Sequence, residues 1–176
     1  MPTPYGHALA GGILYLLVNR GAPRLADAGR ILLYAGLAAA ADLDLFLDLW
    51  VGEPGRFHHG ISHSLGMAAL VGMGAAVLTW KSGPSFLGVF AAVFSLYASH
   101  VLLDYLAVDT REPFGLMALW PFSGAYYLSP VSVFLDVWRW PVSGEMVRHN
   151  ILAVVRETLI LFPALAVLFY VRRRSG

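Results

Sequence analysis

Apolar residues along this chain come in five stretches parted by short polar breaks, a pattern that predicts an all-α bundle of about five membrane-crossing helices. The stretches run from about Tyr5 to Val18, Ile31 to Trp50, Ser62 to Trp80, Ser85 to Asp104 and Ile151 to Val171. A helix needs about 20 mostly apolar residues to cross hydrocarbon, and fewer where other protein supports its ends. The first stretch is short and Gly-rich; it lacks the basic start of a signal peptide and is expected to be retained. Gly83-Pro84 makes a tight break, so the third and fourth stretches should pack as an antiparallel pair. Trp50 and Trp80 close their stretches where an interfacial aromatic belt belongs.

Between Tyr105 and Asn150 the periodicity stops. Prolines, tryptophans and scattered charges interrupt every apolar run there. An ordered interfacial segment with short amphipathic helices on the membrane surface is the expectation. With no linker and no internal repeat, residues 1–176 form one domain.

Composition sharpens the membrane reading. Hydrophobic residues make up 58% and charged ones 13%, with a mean hydropathy of +0.65, well outside the usage of soluble domains. Net charge is +1, without the clustered basic face that direct nucleic-acid binding requires. Basic residues also orient the chain. Arg20, Arg24, Arg30, Lys81 and Arg172 to Arg174 all fall on one side of the predicted spans, whereas Arg56, Arg111, Arg139 and Arg148 are spread over longer sequence mixed with acids. Short basic loops favour the cytoplasm. The expectation is a multi-pass inner-membrane protein with its N-terminus outside and its C-terminus in the cytoplasm.

Metal-ligating residue types gather in three places, Asp42-Leu43-Asp44, His58-His59-Gly60-Ile61-Ser62-His63-Ser64 and His100-Val101-Leu102-Leu103-Asp104, with His7 opening the first span. Ionisable groups at membrane depth are costly and mark partners or function. The chain has no cysteine, so any metal must be held by imidazole and carboxylate, the ligands of catalytic zinc. His100 and Asp104 share one helix face at i, i+4, as do His59 and His63, with Gly60 letting the backbone turn before the helix starts. Asp42 and Asp44 point to different sides of a helix, so one faces an ion while the other caps, pairs or orients. All these residues fall toward the non-cytoplasmic ends of their spans. The expected donors are His7, Asp44, His58, His63, His100 and Asp104, with His59, Asp42 and Arg156 as catalytic groups. Glu157, Arg148 and His149 are further candidates, and Arg148 or Arg156 would hold a phosphate. Ser62 and Ser64 read as helix caps. The zinc-protease helix, the serine-hydrolase elbow, the P-loop and the dinucleotide fingerprint are all missing.

Taken in order, Tyr5-Gly6-His7-Ala8, Asp42-Leu43-Asp44, the central histidine motif, Ser99-His100 through Asp104, and Pro121-Phe122-Ser123 resemble the bacterial membrane-bound metal-dependent hydrolases, some of which are described as LexA-binding. The resemblance covers roughly residues 5 to 124. Members of that family more often carry arginine where this chain has His59. A more distant similarity links the order of histidines and aspartates to the helical zinc-dependent phospholipases C, although the His-x3-Glu that completes their cluster is missing.

These resemblances imply a divalent metal, Zn²⁺ in the first place, as one or two ions. They also imply hydrolysis of an amphiphilic phosphoester such as a phospholipid or lipid-linked phosphate at the extracytoplasmic interface, with the aromatic stretch from Trp120 to Trp140 as the lip. Two other classes compete: a metal-binding or ion-transporting membrane protein without hydrolytic chemistry, and a partner-binding membrane protein. No feature fixes an oligomeric state.

Overall fold

The computed structural model describes residues 1–52, 57–139 and 141–175; Arg56 and Trp140 lie outside them. Six α-helices follow in order: α1 (Pro4–Val18), α2 (Ala28–Ala38), α3 (Asp44–Val51), α4 (Leu65–Thr79), α5 (Phe86–Tyr105) and α6 (Gly144–Ser175). No strand occurs among the described residues, so the all-α class holds. Leu65–Ser82, Phe86–Tyr105 and Gly144–Arg174 are long and apolar enough to cross a membrane, and Pro4–Val18 is a shorter apolar helix.

Local chemistry explains where the helices begin. Thr3, Ser64 and Ser85 each accept a backbone N–H of the first turn that follows, from Gly6, Met67 and Gly88, satisfying donors that helix geometry leaves unpaired. Pro4 stands at the start of α1, where its missing N–H costs nothing. Helices α4 and α5 form the expected hairpin around Gly83-Pro84. Helix α1 crosses α2 at Gly11, where an added Cβ would come within 2.6 Å of the Tyr34 carbonyl oxygen. Helix α6 runs parallel to α1 and is latched at both ends. Thr3 N–H donates to Glu157 at 2.7 Å, and Arg172 donates to the Leu16 carbonyl at 2.8 Å.

The distribution of polarity is the reverse of a soluble domain. Leu32, Leu78, Leu87 and Leu159 project outward, while His7, His63, His100 and Glu157 are fully buried. Soluble proteins almost never bury ionisable groups without partners, and lipid as the outer solvent accounts for both halves of the observation.

Two expectations change in detail. The second apolar stretch is divided: α2 ends at Ala38, a 3₁₀ turn covers Ala40–Leu43, and α3 starts at Asp44. Four consecutive alanines offer no bulk to lock a straight helix at the break, and the Ala38 carbonyl is taken by a side chain of α5. Residues 106–143 hold no helix among those described; amphipathic helices were expected there. Instead this segment is an irregular cap fixed by two isolated bridges, Ala107 with Phe134 and Leu116 with Tyr127. It docks on the start of α4, where Leu65 and Gly66 donate to the carbonyls of Ala118 and Trp120. Gly66 is required there, because a Cβ would collide with the Trp120 carbonyl and the Pro121 ring.

Candidate metal centre

At the capped end of the bundle, α1, the α2–α3 break, the turn before α4 and the last turns of α5 each place one or two ligand-type side chains around a common point. His63 Nε2 and His100 Nε2 face one another at 3.2 Å. Asp104 Oδ2 lies 3.3 Å from the first and 3.0 Å from the second. Asp42 Oδ1 stands 3.7 Å from His63 Nε2 and 3.6 Å from His100 Nε2. His7 brings Nε2 to 3.4 Å from Asp104 Oδ1, its ring stacked on His100 with centroids 3.7 Å apart.

Outer partners fix which ring nitrogen points inward. His100 Nδ1 lies 2.9 Å from the Ala38 carbonyl, an acceptor only, so Nδ1 carries the proton and Nε2 presents a lone pair. His63 Nδ1 meets Asp44 Oδ2 at 3.1 Å, which again leaves Nε2 as the lone pair. With both imidazoles neutral, these tautomers turn two lone pairs toward the Asp42 and Asp104 carboxylates. Both oxygens of each carboxylate, and both nitrogens of His7, are buried without a hydrogen-bond partner among the described residues. Leaving such charges unpaired costs several kcal/mol per group, on the order of the penalty for an isolated buried ion. A divalent cation would offset that cost, and imidazole and carboxylate are ligands that zinc accepts. Two overlapping trios, His7 with Asp42 and His100, and His63 with His100 and Asp104, each bring their ligand atoms within 4.8 Å.

The geometry exchanges the two aspartates. Asp42, expected in catalysis, stands in the donor set. Asp44, expected as a ligand, lies behind the rings, accepting from Ser62 Oγ at 2.6 Å and holding His58 Nδ1 at 3.0 Å besides His63. Ser62 is thus an orienting hydroxyl instead of a cap, while Ser64 does cap α4. Tyr97 on α5 steadies this turn by donating to the Ser62 carbonyl at 2.9 Å.

His58 and His59 form an outer layer. With His63 they make a third group whose ligand atoms converge within 4.8 Å. His58 Nε2 touches the Met1 sulfur. His59 Nδ1 lies 3.4 Å from Asp109 Oδ2, and its Nε2 is buried without a partner. The chain turns at His59 itself, whose φ of 65° is left-handed, and not at Gly60. Histidine is among the few non-glycine residues that tolerate this conformation, and Met117 N–H locks it by donating to the His59 carbonyl at 2.9 Å. Burial opposes ionisation of Asp109, but the His59 contact and the N–H groups of Arg111 and Gly115 outweigh it and keep the carboxyl below its ordinary range.

The remaining candidates stand elsewhere. Glu157 is buried beneath Gly6 and anchors Thr3, so it holds α1 in position. His149 lies 3.0 Å from Asp136 and stacks on Trp138, tying the cap to α6. Arg148 is exposed, and Arg156 donates outward to the Ser132 carbonyl. Sequence reasoning passed over Asp109, Tyr97 and the Ala38 carbonyl. Asp109 lies beyond the end of α5, far from His59 in the chain, and no spacing rule connects them.

An all-helical protein that turns leucines outward and closes imidazoles and carboxylates inward is a membrane protein with a buried polar centre. The chain belongs to the YdjM inner membrane protein family, which matches it over residues 1–176. No curated protein and no solved structure matches it.

Proposed function

We propose that this protein is a multi-pass, metal-dependent hydrolase of the inner membrane. It acts on an amphiphilic phosphoester such as a phospholipid or lipid-linked phosphate at the extracytoplasmic interface, with the N-terminus outside and the C-terminus in the cytoplasm. The observation that carries this reading is the convergence of the His63 and His100 Nε2 atoms with the unpartnered polar atoms of His7, Asp42 and Asp104. These residues would hold one or two ions, Zn²⁺ being the best match to imidazole and carboxylate. A divalent ion supplies Lewis acidity toward an ester oxygen and a source of nucleophile at neutral pH.

The chain's own residues do the rest. Asp44 and the Ala38 carbonyl hold His63 and His100 in the tautomers that turn Nε2 inward. Asp109 orients His59 in the same way, leaving His59 Nε2 free to take a proton from the attacking water and return it to the leaving group. The cap of residues 106–139 shields these groups from bulk solvent. Donors gathered at one end of the bundle suit interfacial chemistry, whereas a transport path would need them across the span.

Elemental analysis of detergent-purified protein tests the reading, followed by an assay on lipid phosphomonoesters and diesters before and after chelation. Expected are about one or two zinc ions per chain and a turnover that falls on chelation and returns with zinc. A fully loaded protein that cleaves neither class would make the centre a binding site only.

A further inference from the structure

Beside the histidine layer lies a cavity of about 140 Å³, room for four or five waters at about 30 Å³ each. His58 and His59 form its inner wall, and Arg111 and Arg139 face it from two separate parts of the cap. We propose that Arg111 and Arg139 form a phosphate subsite next to His59, which takes the anionic headgroup of the substrate.

Two observations of charge carry this. Three carboxylates also line the cavity, Asp109, Glu112 and Asp136, but two of them are engaged. Asp109 holds His59 and accepts from the N–H groups of Arg111 and Gly115. Asp136 accepts from Thr110 at 2.7 Å and meets His149. Glu112 is exposed at the rim. Arg139, by contrast, is half-buried, and among the described residues its guanidinium donates only to the Met1 sulfur at 3.1 Å. A thioether is a weak acceptor for a group with five N–H donors. Burial, and after it the neighbouring Arg111, pull the Arg139 pKa below its ordinary value, with Asp42, Asp44 and Asp48 acting the other way. Two guanidinium groups lining one cavity, neither of them bonded to a carboxylate among the described residues, are an arrangement that a phosphate completes by bidentate hydrogen bonding.

Position gives the subsite its use. The His59 ring centroid lies 5.3 Å from that of His63, so a phosphate held by the arginines would stand one ring layer from the donor cluster, beside the His59 ring that lines the cavity. The subsite rests on the hydrolase reading only in calling the anion a substrate; anion binding itself does not depend on it.

The test is a titration of the full-length protein in detergent micelles, monitored by ³¹P NMR, with inorganic phosphate in one arm and short-chain phosphatidic acid in the other. Wild type should bind in at least one arm. Arg111→Gln and Arg139→Gln should each weaken binding about tenfold or more, equivalent to roughly 1.4 kcal/mol, with metal content unchanged. Arg139→Lys should recover part of the loss. Binding should persist in chelated wild type and in His100→Ala, which separates this subsite from the metal reading. Preference for the lipid arm assigns a headgroup site, and equal binding assigns a site for free phosphate; both support the arginine pair. No binding in wild type would overturn it. So would glutamine variants that bind as wild type does, or binding that disappears with the metal.

Discussion

The inner cluster of His7, Asp42, His63, His100 and Asp104 and the outer layer of His58, His59 and Asp109 use the same residue types and differ in almost everything else. Inner groups come mostly from helices or helix ends, are at most slightly exposed, and leave carboxylate oxygens without partners. Outer groups stand on turns and on the cap, and both histidines already have a carboxylate neighbour. Unsatisfied and rigid donors are arranged for an ion, whereas a carboxylate-backed imidazole at the edge of a cavity is arranged for proton transfer. Burial and hydrogen-bond accounting thus assign different work to identical side chains.

The sharpest way to break this contrast is at Asp104. Asp104→Ala should remove bound metal altogether, whereas Asp44→Asn, which disturbs only an orienting partner, should weaken metal binding by about 10–100-fold. Elemental analysis and competition with a chelating dye measure both, and equal effects would erase the distinction between ligand and orienter. A smaller effect on binding is expected at His59. His59→Asn preserves a residue that accepts the left-handed backbone, so the metal should stay while turnover falls by about 10²–10⁴-fold; metal loss in this variant would move His59 into the donor set. Least of all should come from the opposite end of the bundle. Arg30 and Asp27 form an i, i+3 surface pair, and such pairs contribute little. Asp27 also accepts the Arg24 backbone N–H, so Asp27→Ala should leave metal content and turnover unchanged and lower the unfolding temperature only slightly.

Much of the helical plan was legible in the sequence because hydrocarbon imposes a length on each apolar run, and Gly83-Pro84 announced a hairpin. The i, i+4 spacing likewise put His100 and Asp104 on one face. Less accessible were the features that depend on groups meeting across the fold. The end of α2 at Ala38 is decided by an acceptor that His100 recruits from a helix nearby in space, and a run of alanines carries no mark of it. Asp42 and Asp44 were expected to divide their roles, and which of them faces the cluster depends on the 3₁₀ turn that follows the break in α2. The cap was expected to be an interfacial segment carrying short amphipathic helices; its backbone instead pairs with the start of α4 and with itself, tertiary contacts that no local periodicity encodes.

The Ala38 carbonyl has a wider meaning for how such a site would be mapped. Its oxygen sets the tautomer of a central histidine, yet the residue has no functional side chain, and alanine scanning would pass over it without a trace. Replacement by a larger residue would test packing, since Ala38 is 1% exposed, and would leave the oxygen in place. Part of this centre is therefore written in the path of the main chain and escapes any inventory of side chains. Detecting it takes a change to the backbone, such as an amide-to-ester replacement of the peptide unit that carries this oxygen, which weakens the acceptor while every side chain stays the same.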